Sequence, residues 1–148
     1  MKRVAAVAAV AVAAVFTAQA QTKPEDHIKQ RQAGYAVLGY NFSNLAAMAQ
    51  EKKPYNKEDA VRSAELVAAL SDYPRGHFTE GTDKGGNTRA KADIWKNRGD
   101  FDAKMDKMIA ETKKLPQAAR ADLPTLKKAV SDAGGACKAC HDDYRAKS

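Results

Sequence analysis

The sequence of 148 residues lacks several features that mark common protein classes. No stretch of useful length alternates between apolar and polar residues, which argues against a protein built from β-strands. Its 25 basic residues exceed the 18 acidic ones, but the two kinds are mixed, without the dense basic run of a nucleic-acid-binding protein. Beyond residue 20, no apolar segment has the length that a membrane span requires. We therefore expect a function that involves neither nucleic acid nor membrane insertion.

The one apolar run lies at the amino terminus, where Lys2 and Arg3 precede an Ala- and Val-rich stretch that ends at residues 18–20. Two cations, a short apolar core and a small-x-small ending are typical of a secretory signal peptide. We expect residues 1–20 to be removed and residues 21–148 to form one domain in the periplasm. Without the two cations, 23 basic residues remain against 18 acidic ones, a surplus that suits solubility or loose docking to an acidic protein.

Apolar residues recur at three- and four-residue intervals in four segments of the expected mature chain. The predicted helices cover residues 24–53, 56–73, 94–115 and 123–144, and a glycine-rich loop covers residues 75–92. Asn56 is expected to cap the second helix, and the third is expected to break at residues 97–100 and to bend or end at Pro116. Four amphipathic helices with mostly short connections predict an all-α, antiparallel four-helix bundle, whose centre is a natural cofactor site.

The carboxyl-terminal helix contains the pattern Cys-x-x-Cys-His, formed by Cys137, Cys140 and His141. A c-type haem needs two thiols to form thioethers with its vinyl groups and an imidazole to bind its iron. On a helix these three positions share one face. The pattern therefore predicts one covalent haem c near the C-terminal helix, with His141 as the iron ligand.

Two other uses of these side chains stay open from the sequence. A redox disulfide of the thioredoxin type would join Cys137 to Cys140, but that motif usually starts a helix after a strand, and no strand is predicted here. A zinc site would use the two thiols and the imidazole together with a fourth ligand, such as His27 or His77. Both histidines lie in polar segments, and we expect them to be solvated surface residues.

Two consecutive glycines, Gly134 and Gly135, precede the motif within the same predicted helix. Glycine inside a helix usually costs about 1 kcal/mol relative to alanine. We expect this pair to make room for a flat macrocycle against the helix backbone. A simple helix break is the alternative.

With its haem motif near the carboxyl end of a four-helix pattern, the chain resembles the cytochrome c′ family, the class II c-type cytochromes. Three stretches carry the resemblance: Arg31-Gln32-Ala33-Gly34-Tyr35, then Gly81-Thr82 followed by Asp93-Ile94-Trp95, and finally Cys137 to His141 followed by Tyr144-Arg145. The resemblance implies that His141 is the sole protein ligand of the iron. It also implies that Tyr35, as a bulky side chain that does not bind the metal, covers the opposite haem face.

The resemblance assigns four further residues to haem binding. Arg31 and Gln32 match a pair that approaches the haem edge, where a guanidinium can pair with a propionate. Asp93 matches an acid near the propionates, although the family usually has glutamate there. Arg145 matches an arginine that flanks the proximal pocket, on the same helical face as His141.

The function implied is that of a periplasmic haem protein, not an enzyme, whose five-coordinate iron binds small gases such as nitric oxide and carbon monoxide and transfers single electrons. The alternative is a dedicated electron carrier of a respiratory or photosynthetic chain. Met105 and Met108 follow the apolar stripe of the third helix and are expected to pack rather than bind iron. Met48 lies about 20 Å along the first helix from Tyr35 and is expected to be too distant.

Small residues are frequent on the first two predicted helices, including Ala46, Ala49, Ala64 and Ala68. Small side chains allow two helices to approach closely. The resemblance implies that two copies pair through these helices, so we expect a homodimer.

Overall fold

The computed structural model describes residues 22–147, so the predicted signal peptide, residues 1–20, lies outside the described residues. Within that range the helices are α1 (Pro24–Ala49), α2 (Lys57–Leu70), α3 (Asp93–Lys96), α4 (Arg98–Thr112), α5 (Leu115–Ala121) and α6 (Leu123–Tyr144), with a 3₁₀ turn at Tyr73–His77. The long helices form the all-α four-helix bundle that the sequence predicts. Between residues 22 and 147, no helix has the length and apolar content needed to cross a membrane.

Helix boundaries follow local chemistry. The Asn56 side chain accepts a hydrogen bond from the Asp59 amide at 2.9 Å and so caps α2, as predicted. The third predicted helix is interrupted at Asn97 alone, because α4 already begins at Arg98. Pro116 lies in the first turn of the separate helix α5, where a missing amide hydrogen costs nothing, so it neither bends nor ends α4.

The bundle interior divides into two clusters of different side chains. At the end formed by the start of α2, by α5 and by the start of α6, mostly small and aliphatic residues fill the core: Leu38, Leu45, Met48, Ala60, Ala64, Val67, Leu115, Ala119, Leu126, Val130 and Ala133. At the opposite end the cluster is largely aromatic and sulfur-containing: Phe78, Ile94, Phe101, Met105, Met108, Ile109, Ala136 and Tyr144. The first cluster forms the packed core of the bundle, whereas side chains of the second line a cavity.

The two glycines of α6 lie in surroundings that differ from the prediction. The helix continues through them without a break. A methyl group at Gly134 would lie 3.5 Å from the Phe42 ring, an ordinary contact, and one at Gly135 would meet nothing within 4 Å. Neither glycine lines the cavity among the described residues. The expectation that they make room for a macrocycle is therefore not supported, because Gly134 faces α1 and Gly135 is exposed.

The alanines expected at a dimer interface are partly used inside the bundle. Ala64 is fully buried, and Ala46 and Ala49 pack against the same core. The large apolar side chains left exposed near these positions are Val37, Tyr40, Leu66 and Tyr73. Any surface for a partner copy on α1 and α2 is therefore formed by these larger residues and not by Ala64.

Glu111 of α4 is buried between two lysines and makes stability depend on pH. Its carboxylate accepts from Lys107 at 2.7 Å and from Lys114 at 2.6 Å. These two hydrogen bonds lower the pKa of Glu111 from its ordinary value of 4.5 to about 2. The Glu111 carboxylate binds a proton more tightly in the unfolded chain than in the folded protein. Its contribution to stability is therefore complete above the pKa that Glu111 has in the unfolded chain, and it is lost as the pH falls towards about 2.

We therefore expect Glu111→Gln to lower the free energy of unfolding near neutral pH. The difference from the native chain should shrink progressively as the pH falls from about 6 to about 2. Urea unfolding at several pH values measures it. Glu65→Gln is the matched control, because Glu65 forms a half-exposed pair with Arg120 and such pairs contribute little. A difference for Glu111→Gln that stays constant over this pH range would contradict the assignment.

Candidate functional site

A cavity of about 370 Å³ lies among α1, α4, α6 and the loop before α3. Its volume is within the range of small-molecule sites in proteins. The apolar part of the lining is Tyr35, Leu38, Phe78, Ala90, Ile94, Phe101, Met105, Met108 and Tyr144. The polar part is Arg31, Gln32, Asn87, Thr88, Arg89, His141 and Arg145, with the thiols of Cys137 and Cys140.

Helix α6 brings the three residues of the Cys-x-x-Cys-His pattern to this one cavity, as their helical spacing predicts. Cys137 and Cys140 are half-buried and carry free thiols. Burial raises the pKa of both thiols, and the neighbouring Cys137 helps to raise that of Cys140 to about 11. A redox dithiol of the thioredoxin type needs the opposite, a thiol whose pKa is lowered. The environment of Cys140 therefore argues against the disulfide alternative.

The surroundings of His141 favour its neutral form. Burial lowers its pKa from the ordinary 6.5, and the positive charges of Arg145 and Arg89 lower it further. A neutral imidazole has a nitrogen lone pair free for a metal ion. Position and protonation state both suit His141 to bind iron.

Tyr35 reaches the cavity from α1, a different wall from that of the thiols. Its hydroxyl donates to the Met105 sulfur at 3.5 Å, and its ring lies edge-on to Phe78 with centroids 6.5 Å apart. Burial raises the pKa of the phenol well above its ordinary value of 10, and the nearby Cys140 and Cys137 raise it further. The hydroxyl therefore stays protonated and acts as a hydrogen-bond donor.

Arg31 lines the cavity, but its hydrogen bonds go to the loop. Its two terminal nitrogens donate to the His77 carbonyl at 3.1 Å, to the Thr82 hydroxyl and carbonyl at 2.7 and 2.6 Å, and to the Thr88 hydroxyl at 2.6 Å. The side chain is almost completely buried and lies over the Phe78 ring at 4.7 Å. All four terminal N–H groups are thus used within the protein, and only the Nε–H is left for an anion.

Arg31 joins two of the stretches that carry the resemblance, although Thr82 lies 51 positions further along the chain. Thr82 is fully buried against Arg31. The Trp95 indole donates to the Thr79 carbonyl at 3.0 Å and fixes the same loop. Gly34, three residues after Arg31, lets the Tyr73 ring approach, because a methyl group there would lie 2.7 Å from that ring. Together they hold the loop over the cavity.

The other residues expected near a haem edge are placed differently. Gln32 lines the cavity, and its amide makes only long contacts, 3.4 Å, with the carbonyls of Gly86 and Asn87. Asp93 does not belong to the lining among the described residues. Its half-exposed carboxylate lies 3.6 Å from the Lys96 ammonium, one turn along α3. The structure therefore gives no support to Asp93 as a cofactor contact, because the short side chain points to Lys96.

Arg145 lines the cavity together with His141, and a second arginine accompanies it. Ala90 forms an isolated antiparallel bridge with Arg145, which brings Arg89 to the same rim of the cavity. The Arg89 guanidinium donates to the Ala146 carbonyl at 2.9 and 3.1 Å. Sequence reasoning missed Arg89, since a single bridge leaves no periodic pattern.

The histidines proposed as a fourth zinc ligand lie elsewhere. His27 and His77 face each other, with their Nδ1 atoms 3.0 Å apart, and neither lines the cavity in the described structure. No group of three or more His, Cys, Asp and Glu side chains that could hold a metal ion occurs within residues 22–147.

The donor set of the cavity fits a haem. One wall carries two thiols and a neutral imidazole, aromatic and aliphatic side chains form the apolar walls, and two arginines at the rim suit carboxylates. The family model for cytochrome c′ matches residues 26–145. The chain belongs to the cytochrome c′ family. This family consists of non-enzymatic proteins that carry covalent haem c.

Relatives match this chain over nearly their whole length. The cytochrome c′ of Rubrivivax gelatinosus is 40% identical over 126 residues, which are 84% of this chain and 98% of that protein. Its crystal structure superposes with a TM-score of 0.81 at 41% identity, covering 86% of this chain and 99% of that one. Cytochrome c′ from Shewanella frigidimarina gives a TM-score of 0.81 at 39% identity, with 84% and 98% coverage.

One relative has been crystallised with a gas. Cytochrome c′ from Alcaligenes xylosoxidans is 34% identical to this chain, and nitric oxide complexes of two of its variants superpose with TM-scores of 0.78 and 0.77. They cover 85% and 84% of this chain and 98% of theirs. A periplasmic location is typical of the cytochrome c′ family.

Proposed function

We propose that this cytochrome c′ is a gas-binding protein in which Cys137 and Cys140 hold the haem, His141 is the only protein ligand of its iron, and Tyr35 controls access from the α1 side. A haem held in this way supplies an iron centre that binds uncharged diatomic gases and exchanges single electrons. The observation that carries the proposal is the placement of a protonated phenol, and no methionine, on the α1 wall of the cavity. The nitric oxide complexes of the Alcaligenes relative support the choice of ligand.

Tyr35 suits the role of a wall better than that of a ligand. With its pKa raised, the phenol is not available as a tyrosinate near neutral pH. Its ring is held by Phe78, and its hydroxyl is held only by a weak acceptor, the Met105 sulfur. The hydroxyl can therefore turn from sulfur to a better acceptor without breaking a strong bond.

One observation favours the alternative of a dedicated electron carrier. Met105 and Met108 both line the cavity, so a thioether that could serve as a second protein ligand of the iron is present there. Met105 already accepts a hydrogen bond from Tyr35, and both methionines belong to the packed aromatic cluster. Packing is therefore the role that we assign to them.

Stopped-flow mixing of the reduced holoprotein with nitric oxide and with carbon monoxide tests the proposal. We expect both gases to change the Soret absorption with saturating, one-to-one binding. A protein that exchanges electrons with a redox dye but shows no spectral change with either gas would favour the electron carrier.

Removing the wall should speed gas entry. For Tyr35→Ala we expect the association rate constant for carbon monoxide to rise by at least about tenfold, equivalent to about 1.4 kcal/mol in the barrier. Tyr35→Phe is the matched control, since it keeps the ring and removes only the hydrogen-bond donor. It should leave the association rate close to that of the native protein while changing the dissociation rate. Equal association rates in Tyr35→Ala and the native protein would show that Tyr35 does not limit access.

For the rim we propose that Arg145 and Arg89 receive the haem propionates, together with Gln32 and the remaining Nε–H of Arg31. Arg89 and Arg145 line the cavity beside His141, and their charges act on its pKa. Two carboxylates there would offset this positive charge.

We also propose that the chain is exported, loses residues 1–20 and functions in the periplasm as one domain, residues 21–148. The signal-like amino terminus and the typical location of the family support this. The mass and amino-terminal sequence of protein from a periplasmic extract test it. An amino terminus at Gln21 is expected, and retention of Met1 would contradict it.

A homodimer through α1 and α2 is our proposal for the quaternary structure. Val37 and Tyr40 on α1 are 48% and 78% exposed, and Leu66 and Tyr73, within and just after α2, are 41% and 43% exposed. Both helices thus carry large exposed apolar side chains, and where such side chains form a contiguous patch they mark sites of association. Sedimentation of the holoprotein at micromolar concentration should give a dimer, and Tyr40→Glu should give a monomer, whereas Lys113→Glu should not. A monomeric native protein would refute the proposal.

A further inference from the structure

A pair of histidines outside the haem cavity is the strongest feature that the proposed function does not use. His27 lies in the first turns of α1, and His77 ends the 3₁₀ turn that follows α2. Their Nδ1 atoms are 3.0 Å apart and their ring centroids 5.3 Å apart, so the two nitrogens point towards each other. Both side chains are half-buried, so each keeps some surface through which an ion can reach it.

From this geometry we infer that His27 and His77 form a second metal site, which binds one divalent transition-metal ion, Cu²⁺ in preference to Zn²⁺, through the two Nδ1 atoms. Imidazole nitrogens bind such ions at about 2.0–2.1 Å. Two nitrogens bound to one ion are then about 2.9–3.4 Å apart, for N–metal–N angles from the square-planar cis value to the tetrahedral value. The observed 3.0 Å lies within that range. Two nitrogen ligands with water on the remaining positions suit Cu²⁺, which binds nitrogen ligands more tightly than Zn²⁺ does.

The backbone around the pair is fixed before any ion binds. The His77 carbonyl accepts from Arg31, and the His77 ring packs against the Tyr73 ring with centroids 5.0 Å apart. The His27 backbone is part of the regular helix α1. Only the two rings need to turn, each about its Cβ–Cγ bond, for both lone pairs to converge on one ion.

The protonation state of His77 also favours metal binding. Burial lowers the pKa of His77 below its ordinary 6.5, and the charges of His27 and Arg31 lower it further. The neutral form of His77, which is the form that binds metal, is therefore favoured. The bridging N–H···N bond has one Nδ1 proton, which moves to the Nε2 atom of the same ring when both Nδ1 atoms bind the ion. The nearby Arg31 charge opposes a cation, so we expect micromolar rather than nanomolar affinity.

Isothermal titration of the oxidised holoprotein with Cu²⁺ and, separately, with Zn²⁺ tests this inference. The chain has three histidines, and His141 is the proposed iron ligand, so this pair supplies the other two imidazoles. We expect one ion per chain and tighter binding of Cu²⁺. His27→Gln and His77→Gln should each weaken Cu²⁺ binding at least about tenfold, and the double variant more. Lys29→Gln, a change in the same turns of α1, is the matched control and should bind like the native protein.

The thermal midpoint gives a second readout that does not depend on gas binding. Saturating Cu²⁺ should raise the midpoint of the native holoprotein, because the ion joins α1 to the 3₁₀ turn only in the folded state. It should not raise that of the double variant. The inference is overturned if the native protein binds no ion, if either single variant binds as tightly as the native protein, or if the double variant retains the site.

Discussion

Replacing Cys137 and Cys140 together by serine is expected to abolish covalent haem attachment. Both thiols line the cavity beside His141, and a thioether needs a sulfur at each vinyl group. In a host competent in cytochrome maturation, the native chain should have the mass of its processed polypeptide plus one haem. The double variant should have the mass of the polypeptide alone after denaturation. Electrospray mass spectrometry under denaturing conditions measures this directly.

Single variants and a neighbouring control sharpen the test. Cys137→Ser and Cys140→Ser should each leave at most one thioether, which shifts the α band of the pyridine haemochrome. Lys138→Ala changes an exposed residue between the two cysteines, whose ammonium contacts only Asp142 among the described residues. It should retain the full haem mass. Haem that stays covalently bound in the double serine variant would show that other residues attach it.

Arg31→Met is expected to lower the free energy of unfolding of the holoprotein by on the order of 3 kcal/mol. The substitution removes four hydrogen bonds and leaves the carbonyls of Thr82 and His77 without their donor. Methionine keeps the aliphatic part of the side chain but is two atoms shorter, so a small cavity adds to the loss. Arg31→Lys should recover only part of the loss, because one ammonium cannot reproduce the planar fork that contacts both threonines.

Gln32→Met is the matched control for this prediction. Gln32 is adjacent in sequence and also lines the cavity, but it is exposed and makes only 3.4 Å contacts. Even with a contact to a propionate, this exposed amide should contribute no more than about 1 kcal/mol. Urea unfolding, monitored by the circular dichroism signal of the helices, measures the free energy of unfolding of both variants. If Arg31→Met is no less stable than Gln32→Met, Arg31 does not hold the loop, and binding of a propionate becomes its main role.

Helix periodicity made most of the fold predictable. Burial on one helical face repeats about every 3.6 residues, so the four segments could be found from their apolar spacing. The cap at Asn56 could also be predicted, because it depends only on residues three positions apart. The same locality explains the placement of Cys137, Cys140 and His141 on one wall.

Contacts between distant segments were not predictable in the same way. Arg31 donates hydrogen bonds to residues 46 to 57 positions further on, and the sequence of that segment has no periodic apolar pattern. The orientation of Gly134 towards Phe42 depends on how α6 rotates against α1, which spacing alone does not fix. Asp93 matched the pattern in position, yet its shorter side chain reaches Lys96 and does not line the cavity.

The coordination state of the reduced iron tests most directly whether His141 is its only protein ligand. Absorption and magnetic circular dichroism spectra of the ferrous holoprotein, recorded before any gas is added, report it. We predict a high-spin, five-coordinate spectrum that becomes six-coordinate and low-spin when carbon monoxide is added. A low-spin, six-coordinate ferrous spectrum that carbon monoxide does not change would contradict this prediction, and its conversion to high spin in Met105→Leu would identify the second ligand.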